Sequence, residues 1–313
     1  MALSKIYTDE NAARIHFEAL LWPNGPTCPH CGNADAKRIA KLEGKSTRPG
    51  VYKCRECRKP FSVTVGTVFE RSHIKLHQWA YATHILTSGK KGTSSLQVSR
   101  MLHVTYKTAW FMTHRIREAM RALGYEGPLG GEGEIVEADE TYFGKQETPR
   151  VSPQRKGRPF TKKGHLWNNR PILSLVQRGG KVRSFHVAVA DKENVQKIVR
   201  ENVAAETRLH TDESRLYAGA EAIFAAHETV KHSAKEYARD DIHTNSAEGY
   251  FSIFKRGMRG NYQHCKEKHL HRYLAEFDFR YNNRIALGVN DAMRADIAIQ
   301  GASGKRLTYR RTH

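Results

Sequence analysis

The sequence predicts a multidomain chain made of an N-terminal four-cysteine zinc ribbon, a helical module of helix-turn-helix type, and a mixed α/β domain. Three observations predict it. Two CxxC pairs stand close together near the start. Two short amphipathic helical stretches follow, separated by a brief break. Beyond a glycine-rich boundary the pattern changes to strand, hairpin, helix, strand, helix. At 313 residues the chain is too long for one small domain. The expected divisions are a helical segment over 1–20, the ribbon over 21–69 and the helical module over 70–127. An α/β domain over 128–290 with a basic insertion at 145–170, and a basic tail over 291–313, complete the division.

Composition narrows the classes further. With 39% hydrophobic and 27% charged residues, the chain reads as a folded soluble protein. It has no run of eighteen apolar residues, and "MALSKIYTDENAARIHF" lacks an apolar signal core. A membrane span and secretion are therefore not expected, and the expected location is cytoplasmic. Lysine plus arginine exceeds aspartate plus glutamate by 52 − 32 = 20. Such a balance favours polyanions, because each neutralised phosphate releases counterions.

In "TCPHCG" and "YKCRECRKPF" the pairs are Cys28 with Cys31 and Cys54 with Cys57, and 22 residues separate the inner cysteines. Each two-residue gap lets both thiolates reach one ion, and two such knuckles complete a tetrahedral four-sulfur site, most naturally for zinc. Gly32 permits a tight backbone after the first pair, while Tyr52 and Phe61 can cover the second. A disulfide framework is disfavoured by an odd cysteine count and the missing secretion signal. Redox CxxC chemistry lacks its βαβ setting. A closed four-sulfur site offers no open position, so this zinc is structural rather than catalytic. Cys265 stands alone as an ordinary thiol.

From Ser72, "SHIKLHQWAYATHILTSGKKG" reads as a helix stopped at Ser-Gly. In "TSSLQVSRMLHVTYKTAWFMTHRIREAMRAL", Leu96, Met101 and Leu102 are expected to pack one short helix. After a break at His103–Thr105, a longer helix should turn Ala109, Met112 or Thr113, Ile116 and Met120 inward. That is the helix-turn-helix plan, which offers its second helix to a major groove. Tyr106, Lys107, His114, Arg115 and Arg117 are expected on its exposed side, with a packing-only helical hairpin as the alternative.

The glycines of "GYEGPLGGEGEI" place a boundary near 124–133. "EIVEADETYFG" is a strand candidate carrying Asp139, and "NRPILSLVQRGGKVRSFHVAVA" a hairpin about Arg178-Gly179-Gly180. "DKENVQKIVRENVAAE" is helical, "TRLHTDESRLY" a strand ending at Asp212, and "AIFAAHETVKH" a further brief strand. In "DIHTNSAEGYFSIFKRGM", Thr244 or Asn245 is a reasonable helix cap. Asn245, Glu248, Ser252 and Lys255 share one face of that helix, and Phe251, Phe254 and Met258 form the neighbouring apolar stripe. Three carboxylates, Asp139, Asp212 and Glu248, could hold two divalent ions roughly 4 Å apart, an arrangement suited to phosphoryl transfer. Magnesium suits such hard oxygen ligands, and the cations relieve carboxylate repulsion. Glu137, Glu140, Glu213 and Asp240 or Asp241 are the competing acids.

These blocks, in order, resemble the insertion-sequence transposases of the IS1595 group with their ISXO2-like transposase domain. The resemblance rests on "HFEALLWPNGPTCPHCG", "YKCRECRKPFSVTVGTVFERSHIKL", "VEADETYFGK", "LHTDESRLY" and "HTNSAEGYFSIFKRGMRGNYQHCKEKHLHRYLAEFDFRYNNR", and covers nearly the whole chain. It implies an RNase H-like catalytic domain of the DDE type, which cuts DNA at the ends of a mobile element and joins those ends to target DNA. Carried onto this sequence, Asp139 in "EADET" is the first acid and Asp212 in "HTDES" the second. The family's third residue is asparagine, histidine or glutamate followed by lysine, and here Asn245 and Glu248 both precede Lys255. Glu248, with 35 residues between it and Asp212, is preferred as the magnesium ligand, with Asn245 in support. The resemblance also implies that manganese can substitute and that no covalent protein–DNA intermediate forms. Handling two element ends implies at least a dimer on double-stranded DNA.

Lys107, Arg115, Arg117, Arg158, Lys162, Lys163, Arg280 and Arg284 are the expected DNA contacts. Arg158, Lys162 and Lys163 lie in the basic insertion, where Trp167 is a candidate for stacking on an unpaired base. Leu270, Leu274, Phe277 and Tyr281 recur at helical intervals, with Arg280 and Arg284 beside them. Rival functions are a DNA-binding regulator without chemistry and a metal nuclease that only hydrolyses.

Overall fold

The computed structural model describes residues 3–122, 127–147, 169–234 and 238–308. The chain divides into two compact units, residues 1–122 with 288–313, and residues 123–287.

In the first unit, α1 (Glu10–Leu21) starts at Asp9, whose side chain accepts from the Ala12 N–H and satisfies one orphan donor of the first turn. Three short antiparallel strands follow, β1 (Ile39–Lys41), β2 (Tyr52–Cys54) and β3 (Pro60–Phe61). They are too short to bury a core of their own. Trp22, Tyr52 and Phe61 pack as an aromatic cluster with the buried Cys28 and Cys54.

Three helices come next: α2 (Leu76–Ser88), α3 (Ser95–Leu102) and α4 (Tyr106–Met120). Between the last two, His103 takes a left-handed φ of 52°, which ends α3, and Thr105 caps α4 by accepting from the Thr108 N–H. Ala109, Met112, Thr113, Ile116 and Met120 of α4 are buried, as the periodicity predicts. On α3 the inward set is Ser95, Val98, Ser99 and Leu102. Leu96 and Met101, expected inside, are exposed at 47% and 39%, because they fall off the stripe that faces α4. Residues 291–300, expected as part of a basic tail, form α8 (Asp291–Gln300), which returns to pack on α1, α2 and α4.

The second unit is a five-stranded mixed sheet in the order β6-β5-β4-β7-β8. Its strands are β4 (Ile135–Lys145), β5 (Asn169–Gln177), β6 (Val182–His186), β7 (Arg208–Asp212) and β8 (Ala226–Val230). The first three form an antiparallel meander, and β7 and β8 then run parallel to β4. The turn predicted about Arg178 joins β5 to β6, with Gly179 at φ 73°. One face of the sheet, through Val136, Ala138, Leu173, Leu175 and Leu209, packs with Val195 and Val199 of α5 (Lys192–Asn202). The other face, through Ile172 and Val176, packs with α6 (Asn245–Gly257) and α7 (Leu270–Asn282). Burial on both faces accounts for the nearly unbroken apolar run of β5.

Candidate functional site

The four cysteines form a closed set. Their sulfurs lie within 4.8 Å of one another, with Cys28 to Cys57 at 3.6 Å and Cys31 to Cys54 at 3.7 Å. Tetrahedral zinc with sulfurs at about 2.3 Å requires neighbouring sulfurs about 3.8 Å apart, whereas a disulfide requires about 2.05 Å. The set therefore fits structural zinc. Gly32, at φ 75°, turns its N–H onto the Cys28 carbonyl, the tight knuckle that the first pair needs. The Asn33 amide donates to Cys54 Sγ at 3.6 Å. The backbone N–H of Cys57, with that amide, lowers the Cys54 thiol, while burial and the neighbouring sulfurs raise that of Cys31.

The acidic site is built across the second unit. Strands β4 and β7 run parallel, with Glu137 paired to His210. Two residues further along each strand stand Asp139 and Asp212, so the pleat turns both carboxylates to one face. Helix α6 packs over β4 and β5 on that side and carries Glu248 in its first turn and Lys255 two turns on. Burial pushes Asp139 up to about 7, the negative charges of Asp212 and Glu248 push the same way, and the Glu140 N–H and the Lys255 charge oppose them. That N–H donates to Asp139 Oδ1 at 2.7 Å, and the Ser214 N–H donates to Asp212 Oδ1 at 2.9 Å. Among the described residues only the cysteines bring three or more ligand atoms within 4.8 Å of one another, so the three carboxylates form a more open set.

The competing acids are occupied elsewhere. Glu137 is fully buried, accepting from Arg178 and from the first turn of α6. Glu140 points to the opposite face and accepts from the Tyr217 hydroxyl; burial raises it to about 8. Glu213 accepts from Ser233, and Asp241 pairs with Arg208 at 2.7 Å. Asn245 opens α6 and is exposed. Of it and Glu248, Glu248 is the one whose charge reaches Asp139.

The expected DNA contacts separate sharply. Lys107, with Tyr106, is exposed on the first turn of α4. Arg115 is not: it is buried, donates to the carbonyls of Leu307 and Glu70 at 3.2 and 3.1 Å, and lies over the Phe111 ring at 4.6 Å. Arg117 and His114 are buried as well, because α2, α8 and the C-terminal segment enclose α4. Arg280 is buried beside Glu276 and over Phe277, an i,i+4 pair on the inward face of α7. Arg284 donates to the carbonyls of Gly179, Gly180 and Tyr281, locking the β5–β6 turn. None of these four arginines, nor His114, stands as an open DNA contact. Arg158, Lys162, Lys163 and Trp167 lie outside the described residues.

Sequence reading missed Arg178, which it saw only as a turn residue. Its guanidinium donates to Glu137 at 2.9 and 3.1 Å and to the Asp241 carbonyl at 2.8 Å. The available signal was Glu137 itself, an acid on an apolar strand face two residues before Asp139.

Fold and sites together define a class: a zinc-ribbon protein with a mixed α/β domain that carries acids at the ends of two adjacent parallel strands. The matching family models are an ISXO2-like transposase domain over residues 128–282 and a transposase zinc-ribbon domain over residues 8–60. The chain belongs to the IS1595 group of transposases that carry these two domains. It is 27% identical, over 284 residues, to an uncharacterized protein in transposable element ISH50 of Halobacterium salinarum, covering 88% of this chain and 92% of that one. Two solved structures are more remote. A simian T-cell lymphotropic virus intasome in complex with PP2A regulatory subunit B56 gamma gives 13% identity and a TM-score of 0.27, with 58% of this chain and 63% of that one covered. A pre-cleavage Mos1 transpososome gives 11% identity and a TM-score of 0.27, covering 67% and 72%. At that TM-score neither likeness bears on the fold. Among the described residues no helix is long and apolar enough to cross a membrane.

Proposed function

We propose that this transposase works by DDE chemistry in an RNase H-like domain, cutting phosphodiesters at element ends and transferring the freed 3′-hydroxyl into target DNA. The observation that carries this reading is that Asp139 and Asp212 stand on one face at the ends of two adjacent parallel strands, with Glu248 on the helix packed over that side. An antiparallel meander followed by parallel strands agrees with the RNase H-like plan. Asp139, Asp212 and Glu248 would together hold the magnesium ions. When bound, such a pair lowers the cost of charge on the attacking and leaving oxygens, and manganese can take its place. Lys255, on the Glu248 face of α6, would contact a phosphate, with Asn245 in a supporting role.

Double-stranded DNA is the proposed partner, with at least two protomers engaged when two ends are handled. The exposed first turn of α4, led by Tyr106 and Lys107 after the left-handed turn at His103, suits groove reading, because recognition helices contact base edges through their N-terminal residues. The test incubates protein, magnesium and labelled pre-cut end DNA with a supercoiled target. Covalent joining that disappears in Asp139→Asn is expected. Binding without cutting would leave a regulator, and cutting without joining a nuclease.

A further inference from the structure

We propose that Glu137, which lies outside the metal-binding set, is a positioning residue: it caps α6 from strand β4 and so fixes Glu248 against Asp139. The inference rests on the two-ion reading above. A helix needs partners for the N–H groups of its first turn. The residue in the cap position of α6, Thr244, makes no side-chain cap hydrogen bond. The partner comes instead from the sheet: Glu137 Oε2 accepts from the Ser246 and Ala247 N–H groups at 2.7 and 3.0 Å. Its Oε1 accepts from the Ser246 hydroxyl at 3.0 Å and from Arg178 at 2.9 and 3.1 Å.

A fully buried carboxylate is costly unless its charge is met. Here the guanidinium and the positive end of α6 meet it. With both oxygens occupied by donors, Glu137 is spent as a ligand. Arg178 extends the clamp by donating to the carbonyls of Asp241 and His243, the segment leading into the helix. Glu137 and Asp139 sit two residues apart on one strand face, and Glu248 directly follows the capped Ala247. The two carboxylates are thereby joined through one stretch of strand and one turn of helix, with no intervening loop. A neutral cap would hold the helix end but not the charge balance that draws it onto the strand.

The test measures Mn2+ binding by electron paramagnetic resonance to protein on pre-cut end DNA. Wild type, Glu137→Gln, Glu248→Gln and the double variant are compared, with melting temperature and end-DNA affinity measured alongside. Glu137→Gln should weaken Mn2+ binding about 10- to 100-fold, the usual effect of losing a group that orients a ligand, with end-DNA affinity unchanged. In the Glu248→Gln background it should add nothing, because both act through one ligand. Ser246→Ala, which removes one hydroxyl from the same carboxylate, should shift binding the same way by a smaller factor, and it carries the test if Glu137→Gln does not fold. Wild-type Mn2+ affinity in Glu137→Gln, or losses that multiply in the double variant, would overturn the proposal. A wild-type protein that neither binds Mn2+ nor joins DNA would overturn the two-ion reading itself.

Discussion

The zinc ribbon draws its four cysteines from residues 28 to 57, whereas the proposed acidic site would draw its ligands from residues 139 to 248. The cysteine set is closed, its sulfurs already at spacings that a tetrahedral ion requires. The carboxylate set is open, and its central member is held against ionisation by burial and by its neighbours. A local site can be written into short spacings and folded with its ion. A site assembled across a domain must be held by other packing, and here that packing includes a buried carboxylate that caps a helix.

The largest effect should come from the local site. Structural zinc in comparable small modules is worth about 10–16 kcal/mol of apparent binding free energy, all of it coupled to folding. Chelation, or Cys54→Ser, should expose residues 21–69 to protease while leaving the melting of residues 127–287 unchanged. Protection of the ribbon in excess chelator would break the contrast, since the site would then need no ion to fold.

Next in size are the buried arginines of the helical module. Arg115 is buried and donates to the carbonyls of Leu307 and Glu70, so Arg115→Ala should cost about 1.5–3 kcal/mol in a denaturant titration, the usual penalty for losing charged hydrogen bonds to buried acceptors. Lys107→Ala should leave stability unchanged and reduce the slope of log affinity against log salt by about one. If the two variants exchanged these behaviours, the enclosure of α4 would be wrong.

That division marks what the sequence could convey. The ribbon was legible because the chemistry of four thiolates and their spacing is nearly self-sufficient. The succession of strands and helices along the chain was legible from apolar runs and from turns such as Arg178-Gly179-Gly180; the order of the strands in the sheet was not. The inward face of α4 was legible too, but the burial of its other side, at His114, Arg115 and Arg117, was not, since that side is covered by α8 and the C-terminal segment, nearly two hundred residues away in sequence. Nor was the division of labour among the acids: Glu137 and Asp139 alternate onto one face and look equivalent until the first turn of α6 arrives at one of them.

A smaller effect separates binding from stability within the acidic site. Asp139, raised to about 7, stays protonated in the folded, ion-free protein where the unfolded chain has already ionised. Unfolding therefore releases a proton between about pH 4 and pH 7, so stability falls as pH rises through that window and levels off above it. Asp139→Asn should remove that slope and raise the stability of the ion-free protein near pH 7.5 by on the order of 1–3 kcal/mol, while abolishing DNA joining. Magnesium should stabilise only the wild type at that pH. A wild-type stability that rises from pH 5 to 7.5, after other groups are allowed for, would contradict the clustering.

The smallest effect tests whether α6 carries a residue that only a bound partner explains. Gly249 lies in the helix interior beside Glu248, exposed, and an added Cβ would meet no described atom within 4 Å. Internal packing therefore gives no reason for glycine, which weakens a helix relative to alanine. Gly249→Ala should stabilise the second unit by about 0.4–1 kcal/mol. If the variant gains that stability and still joins DNA at the wild-type rate, the glycine is merely tolerated. If it gains stability and loses joining, the open face beside Glu248 is where the DNA backbone comes close, and the helix trades stability for that approach.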